Sequence, residues 1–153
     1  MLKITGNYFL SPTFALYGYY NYIKVSADSN SGHDFKIRTN KSVNDIVHLG
    51  YEYNYINYSR VSNLYYSPRN FQSHSIWVDW NVYKDQKIST NIGGKIGYIP
   101  SYDFILSELY GEVVYRPVQI FTISGRISNA GSVRFGSNYN FWAGYLSCYL
   151  SIF

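Results

Sequence analysis

Apolar side chains recur at every second position through the middle of this chain, and that period points to strands. Val47, Leu49, Tyr51, Tyr53 and Tyr55 fall on one face, with His48, Gly50, Glu52 and Asn54 on the other. Ile76, Val78, Trp80 and Val82 repeat the pattern against Ser75, Asp79 and Asn81, with Trp77 as the exception. Ile88, Ile92 and Ile96 alternate with Ser89, Asn91, Gly93, Lys95 and Gly97, and Phe121, Ile123 and Ile127 with Thr122, Ser124, Arg126 and Ser128. A helix needs a period of 3.6, which no long run carries. Nor does any stretch approach the roughly 18 apolar residues of a membrane helix.

Segments 2–10, 13–28, 33–41, 45–59, 73–84, 87–99, 103–116, 119–129 and 139–152 read as about nine strands. Several exceed the five or six residues usual in globular sheets, and lengths of about ten suit a tilted membrane strand. Every second connection is short: Ser11-Pro12, Ser42-Val43-Asn44, Asp85-Gln86 and Pro117-Val118. Those between, at 29–32, 60–72 and 130–138, read as longer and more polar. Short turns at one end and long loops at the other is the asymmetry of outer-membrane barrels. The expected fold is therefore all-β, an antiparallel up-and-down transmembrane β-barrel domain over 1–153. Bacterial single-chain barrels have even strand counts. An odd count implies one misassigned strand or a part of a larger barrel.

Composition agrees. Only 14% of the 153 residues are charged, against about 25% in globular chains. Aromatics make up 20%, and 19 residues are Tyr. A ring with a polar tip suits the girdles where lipid meets water. The net charge of +4 comes from 13 basic and 9 acidic residues. The basic residues are scattered singly, so no nucleic-acid partner is expected. Cys148 is the sole cysteine, which precludes an intrachain disulfide and a Cys-rich metal site. The first residues, Met1 to Gly6, lack a charged region followed by an apolar core, so no signal peptide is read there. A barrel must be exported, which implies a mature form or a piece of a longer chain.

The final segment, Tyr139 to Phe153, is rich in aromatics. It resembles the terminal strand by which outer-membrane proteins are recognised for assembly, with Phe153 as the assembly signal and the barrel-assembly machinery as partner. Phe153, Tyr149, Tyr145 and Phe141 share one face with Ser151 and Ser147, whereas Leu146, Leu150 and Ile152 share the other. Either face is open to lipid on this pattern.

A sharper motif follows the Tyr-rich strand: Leu64-Tyr65-Tyr66-Ser67-Pro68-Arg69-Asn70-Phe71, then Ser75-Ile76-Trp77-Val78-Asp79-Trp80. It resembles the C-terminal barrels of bacterial exopolysaccharide-export proteins, of the cellulose and poly-N-acetylglucosamine types, and the related YaiO-like outer-membrane family. The resemblance covers residues 44–153 in layout, with Arg69 standing where the family has Gln. It implies a bacterial outer-membrane pore that passes a polysaccharide, with periplasmic scaffold repeats as a partner; this chain has no such repeats. In structural terms Pro68 fixes φ and starts a turn at Ser67-Pro68, and Tyr65, Tyr66 and Phe71 anchor that turn at a barrel rim. A ligand contact by Tyr65, Tyr66, Ser67, Pro68, Asn70 or Phe71 is the other reading.

His48, Glu52, Asp79, Lys95, Glu108, Glu112, Arg116 and Arg126 gather on the polar face. Lys or Arg on the lipid face costs about 2–4 kcal/mol at midplane, so these residues are expected to line the lumen. In a wide barrel they would tune a wet passage; in a small closed barrel they would pair and fill it. No enzyme is expected. Glu108 and Glu112 lie about 13 Å apart on a strand, too far for the roughly 5–9.5 Å of glycoside hydrolysis. His33, His48 and His74 lack metal-ligand spacing, and His33 and His74 fall near loops. No metal or cofactor is therefore expected. Ser31, His33 and Asp34 are the one combination that resembles a hydrolytic triad. The functions in view are an export pore, a small structural or ligand-binding barrel and, least, a barrel enzyme of the outer membrane.

Overall fold

The computed structural model describes residues 2–134 and 137–150. Nine antiparallel strands follow one another in a single sheet, in the order β1 to β9. They are β1 (Leu2–Ser11), β2 (Phe14–Val25), β3 (Asn30–Ser42), β4 (Val47–Tyr58), β5 (Phe71–Lys84), β6 (Ile88–Ile99), β7 (Phe104–Val118), β8 (Phe121–Arg134) and β9 (Ser137–Leu150). A 3-10 turn, Pro100–Tyr102, joins β6 to β7. Among the described residues no ladder joins β1 to β9, so the sheet is not closed on itself.

Local chemistry sets the turns. The Asn44 side chain accepts the backbone N–H groups of Ile46 and Val47 at 3.0 and 2.7 Å. Asp85 does the same for Lys87 and Ile88 at 2.7 and 2.6 Å. Ser29, Asn70 and Asp103 take left-handed backbone angles at the other end, a conformation that short polar residues tolerate. The register shifts at 9–11, 81–83 and 115–118, each beside a short turn.

One expectation about the connections is overturned. Residues 130–134 belong to β8 and 137–138 to β9, so 130–138 is not a loop. Gly131 and Ser132 read as turn residues but pair with Asn140 and Tyr139 in the ladder. The turn at 26–29 is also short, and among the described residues the one long connection is 59–70. The asymmetry between the two ends thus rests on that loop. Phe71 opens β5 rather than lying in the loop. Phe153, Ser151 and Ile152 lie outside the described residues.

Pairing across the ladder puts opposed residues on one face. One face carries Ile37, Leu49, Ile76, Val78, Ile92, Ile96, Leu109, Val113 and Ile127, many of them half exposed or more. Aromatics flank this apolar band at both ends. Tyr20, Tyr22, Phe35, Tyr53, Tyr55 and Tyr98 stand toward the loop end, and Phe14, Trp80, Tyr115 and Phe121 toward the short turns. The terminal strand resolves in the same way: Trp142, Leu146 and Leu150 share the apolar face, and Phe141, Tyr145 and Tyr149 the other. Gly94 and Gly144 fall on the apolar face as well.

The opposite, inner face is the more buried, although no second layer covers it. Its apolar part is a small cluster of Phe71, Ile99 and Leu106, with Ile56 and Phe104 against it, at the loop end. Trp77, the exception to alternation, faces inward opposite Gly50. Gly50 permits this. A Cβ there would lie 1.9 Å from the Thr39 carbonyl oxygen and 2.8 Å from Trp77 Cζ2.

Gly50→Ala is therefore expected to destabilise the sheet by about 1–3 kcal/mol, the range for overpacking. Gly125→Ala, where nothing lies within 4 Å of the new Cβ, should shift stability by less than about 0.5 kcal/mol. Urea unfolding of the refolded chain, followed by tryptophan fluorescence, measures both.

Candidate functional site

The inner face is built by register. Lys36 pairs with Asn54 and Arg38 with Glu52 across β3 and β4. His48 faces Asp79 across β4 and β5, Lys95 faces Glu108 across β6 and β7, and Glu112 faces Arg126 across β7 and β8. Seven of the eight polar residues singled out in the sequence thus share this face. The eighth, Arg116, lies past Tyr115 where the register shifts. It is exposed, and its backbone N–H donates to the Lys87 carbonyl at 2.6 Å.

These side chains form a chain of alternating charge. Lys36 Nζ lies 3.8 Å from Glu52 Oε2, and Lys95 Nζ lies 3.4 Å from Glu52 Oε1. Lys95 reaches Glu108 at 3.3 Å, and Arg126 donates to Glu108 at 2.8 Å. Arg126 also stacks on the Tyr110 ring at 3.7 Å. The Tyr110 hydroxyl donates to Asp79, which pairs with Arg38 at 3.5 Å. Arg38 in turn lies 3.7 Å over the Trp77 ring. Nine residues from Lys36 to Trp77 are thereby continuous. Gly93 makes the Tyr110 step possible, since a Cβ there would sit 2.5 Å from both Asp79 Oδ1 and the Tyr110 hydroxyl.

Four links, Lys95–Glu52, Arg38–Asp79, Arg38–Trp77 and Tyr110–Asp79, pass over an intervening strand and so span about 9–10 Å of sheet. None among the described residues reaches farther. The network coats one wall.

Among the described residues five buried side-chain polar atoms have no protein partner: the Oδ1 atoms of Asn21, Asn40, Asn54 and Asn91, and Trp77 Nε1. All five belong to inner-face residues. A buried polar atom without a partner costs about 1–3 kcal/mol; these five are covered by neighbouring protein atoms even though no second layer lies over the face.

The motif at 65–71 forms a second feature, where loop 59–70 meets turn 26–29. Asn30 is fully buried. Its Nδ2 donates to the Arg60 carbonyl at 2.7 Å and to the Tyr65 hydroxyl at 2.8 Å. Its Oδ1 accepts from Ser31 N, Arg60 N and Ser59 Oγ, each at 3.0 Å. Tyr65 donates to Asp28 at 3.0 Å. Partial desolvation pushes the Asp28 carboxyl up, but the Tyr65 hydroxyl, the Asn30 amide, Ser62 and Arg60 outweigh it and leave it below its usual range. Ser67 Oγ accepts from Ser62 N at 2.6 Å, and the carbonyl of Pro68 accepts from Tyr58 N at 2.9 Å. The Asn70 amide donates to Asn57 Oδ1 at 3.1 Å. Tyr65 packs on Tyr58, and Tyr66 meets Phe71 edge-on at 6.3 Å. Tyr58 and Phe71 face inward, so the loop is moored to the inner side of the sheet.

His33 and His74 sit on β3 and β5, within the strands expected at 33–41 and 73–84. His33 Nδ1 bonds Tyr20 at 2.8 Å and His74 Nδ1 bonds Tyr51 at 2.6 Å, on the apolar face. The would-be triad is not assembled. Asp34 points inward to the Tyr19 hydroxyl at 3.1 Å, and Ser31 bonds Ser59 at 3.2 Å. Sequence reasoning passed over Lys36, Arg38, Tyr110 and Asn30. Only Trp77, by breaking the alternation opposite a glycine, gave a signal.

The chain matches no protein-family model and no curated protein. Among solved structures it is similar to a bacterial polysaccharide outer membrane secretin, with a TM-score of 0.73 at 9% identity over 98% of this chain and 56% of that one. The outer membrane channel DcaP of Acinetobacter baumannii aligns over 96% of this chain and 61% of that one at 13% identity and a TM-score of 0.46. The chain therefore has the fold of an outer-membrane barrel wall, and it spans about 56% of the length of the secretin.

Two outcomes are expected. Glu52→Gln, which takes the shared carboxylate from Lys36 and Lys95, should cost about 1–2 kcal/mol in urea unfolding, solvent screening of the lysines keeping it below a fully buried pair. Asn30→Ala should free loop 59–70 and raise trypsin cleavage after Arg60 and Arg69 about tenfold, from the loss of one or two net hydrogen bonds.

Proposed function

We propose that this chain forms part of the wall of a pore in the bacterial outer membrane, with the charged face lining the passage and the apolar face in lipid. The observation that carries this is the sorting of charge: Lys36, Arg38, Glu52, Asp79, Lys95, Glu108, Glu112 and Arg126 stand on one face and the apolar band on the other. Ionised side chains keep their hydration in a water-filled lumen, whereas a dry interior would strip it. The ion pairs favour the same reading over a small barrel filled with side chains, because they coat one wall and do not cross an interior. On the other face, apolar side chains between two aromatic girdles match the hydrocarbon band of outer-membrane barrels.

The two edges define what else the pore needs. In lipid an unpaired edge costs several kcal/mol per backbone group, and barrels avoid it by closure. β1 and β9 run in the same direction, since seven strands separate them in an antiparallel meander. A ladder between them would be parallel. An odd number of further strands between these edges keeps every pairing antiparallel and gives an even total.

As cargo we propose a hydrated polysaccharide, on the resemblance of residues 65–71 to exopolysaccharide-export barrels and on the likeness in fold to a polysaccharide secretin. Inner-face aromatics such as Tyr145 and Tyr149, each 61% exposed, offer rings for sugar faces. Fixed charges and amides offer hydrogen bonds to hydroxyls. Lipid, the barrel-assembly machinery and periplasmic scaffold repeats are the partners of such a pore.

Cys148 lies on the apolar face opposite Ile123, and Ser124 on the inner face opposite Ser147. In vesicles carrying the refolded chain, Cys148 should resist a water-soluble maleimide and react after denaturation. Ser124→Cys, in a Cys148→Ser background, should react without denaturation. The reverse pattern, or equal protection of both thiols, would overturn the pore reading.

A further inference from the structure

The two faces differ in the sign of their charge as well as in polarity. The strand-borne carboxylates of Asp34, Glu52, Asp79, Glu108 and Glu112 all point inward. On the apolar face, among the described residues, the strand-borne basic side chains are Lys24, His33, Lys41 and His74. Lys24 and His33 stand together at the loop end, both exposed.

Their geometry is specific. His33 is directly opposite Tyr22, with ring centroids 5.3 Å apart. Lys24 is opposite Ser31, hence diagonal to His33, a separation of about 7–8 Å that a lysine spans easily. Tyr20, on the other diagonal, bonds His33 Nδ1 at 2.8 Å. A tyrosine hydroxyl donating to Nδ1 leaves Nε2–H as the donor of the imidazole. Neither nearby carboxylate competes. Asp34 is held by Tyr19 on the inner face, and Asp28 by Tyr65 in its turn.

We infer that Lys24 and His33 hold the phosphate of a membrane lipid against the outer surface of β2 and β3, at the level of the aromatic girdle. The register sets a lysine and a histidine diagonal to each other there, with no carboxylate on the same face of these strands, next to rings that place the site where lipid headgroups lie. Charge-assisted bonds to phosphate are the strong class of such contacts. The inference rests on the reading that the apolar face meets lipid.

The test uses the full chain refolded in detergent micelles and titrated with dioleoylphosphatidic acid under native mass spectrometry. Dioleoylglycerol, which lacks the phosphate, is the reference. Phosphatidic acid should be retained and dioleoylglycerol lost. Lys24→Gln with His33→Gln should weaken retention about tenfold, the loss of one charge-assisted contact, and Lys41→Gln should not. Gln at position 33 keeps an acceptor for Tyr20, and heat-shifted gel mobility checks that each variant folds. Equal retention of dioleoylglycerol, equal loss in Lys41→Gln, or displacement by equimolar inorganic phosphate would overturn the inference. Any of these with Cys148 still protected in vesicles leaves the pore reading standing; loss of that protection sinks both.

Discussion

The ladder of backbone hydrogen bonds from β1 to β9 is the constraint from which the other features follow. It fixes which residues stand opposite one another, and the period of two then sorts every side chain to one face or the other. A shift of one residue in any strand would carry Glu52, Lys95 or Glu108 to the apolar face. The continuity of charge from Lys36 to Arg126 therefore depends on register in six successive strands. The turns that set it, at Asn44 and Asp85, do so through side chains that cap their own backbone.

The glycines at 50 and 93 show how the wall accommodates large groups. Each lies on the inner face beneath an aromatic side chain, Trp77 or Tyr110, that lies along the sheet. With the ring lying flat, a guanidinium stacks above it, and the same guanidinium reaches a carboxylate. Arg38 and Arg126 both have this aromatic-and-acid environment. Their charge is satisfied by ring and carboxylate together, which suits Arg better than Lys.

The strands and their faces were legible in the sequence because alternation is a local signal. Val47 to Tyr55 and Ile76 to Val82 show it without help from any neighbour. The partners were not legible. Nothing in the order of residues says that Glu52 reaches Lys95 over β5, or that Tyr110 crosses β6 to Asp79, because those contacts depend on the curl of the sheet. The loop expected at 130–138 failed for a different reason. Glycine and serine are turn residues by propensity, but ladder pairing, of Gly131 with both β7 and β9 and of Ser132 with β9, overrides propensity here. The histidines at 33 and 74 fell near strand ends on the sequence, and β3 and β5 begin three residues before each of them.

Asn30 bears on the order in which the molecule assembles. A meander zips hairpin by hairpin from contacts close in sequence, and such local closure is fast. The bonds from Asn30 to Arg60 and Tyr65 instead join residues 30 and 35 positions apart. They form only when β4 has already returned along β3. The knot is thus a late event that draws loop 59–70 inward after the wall beneath it exists.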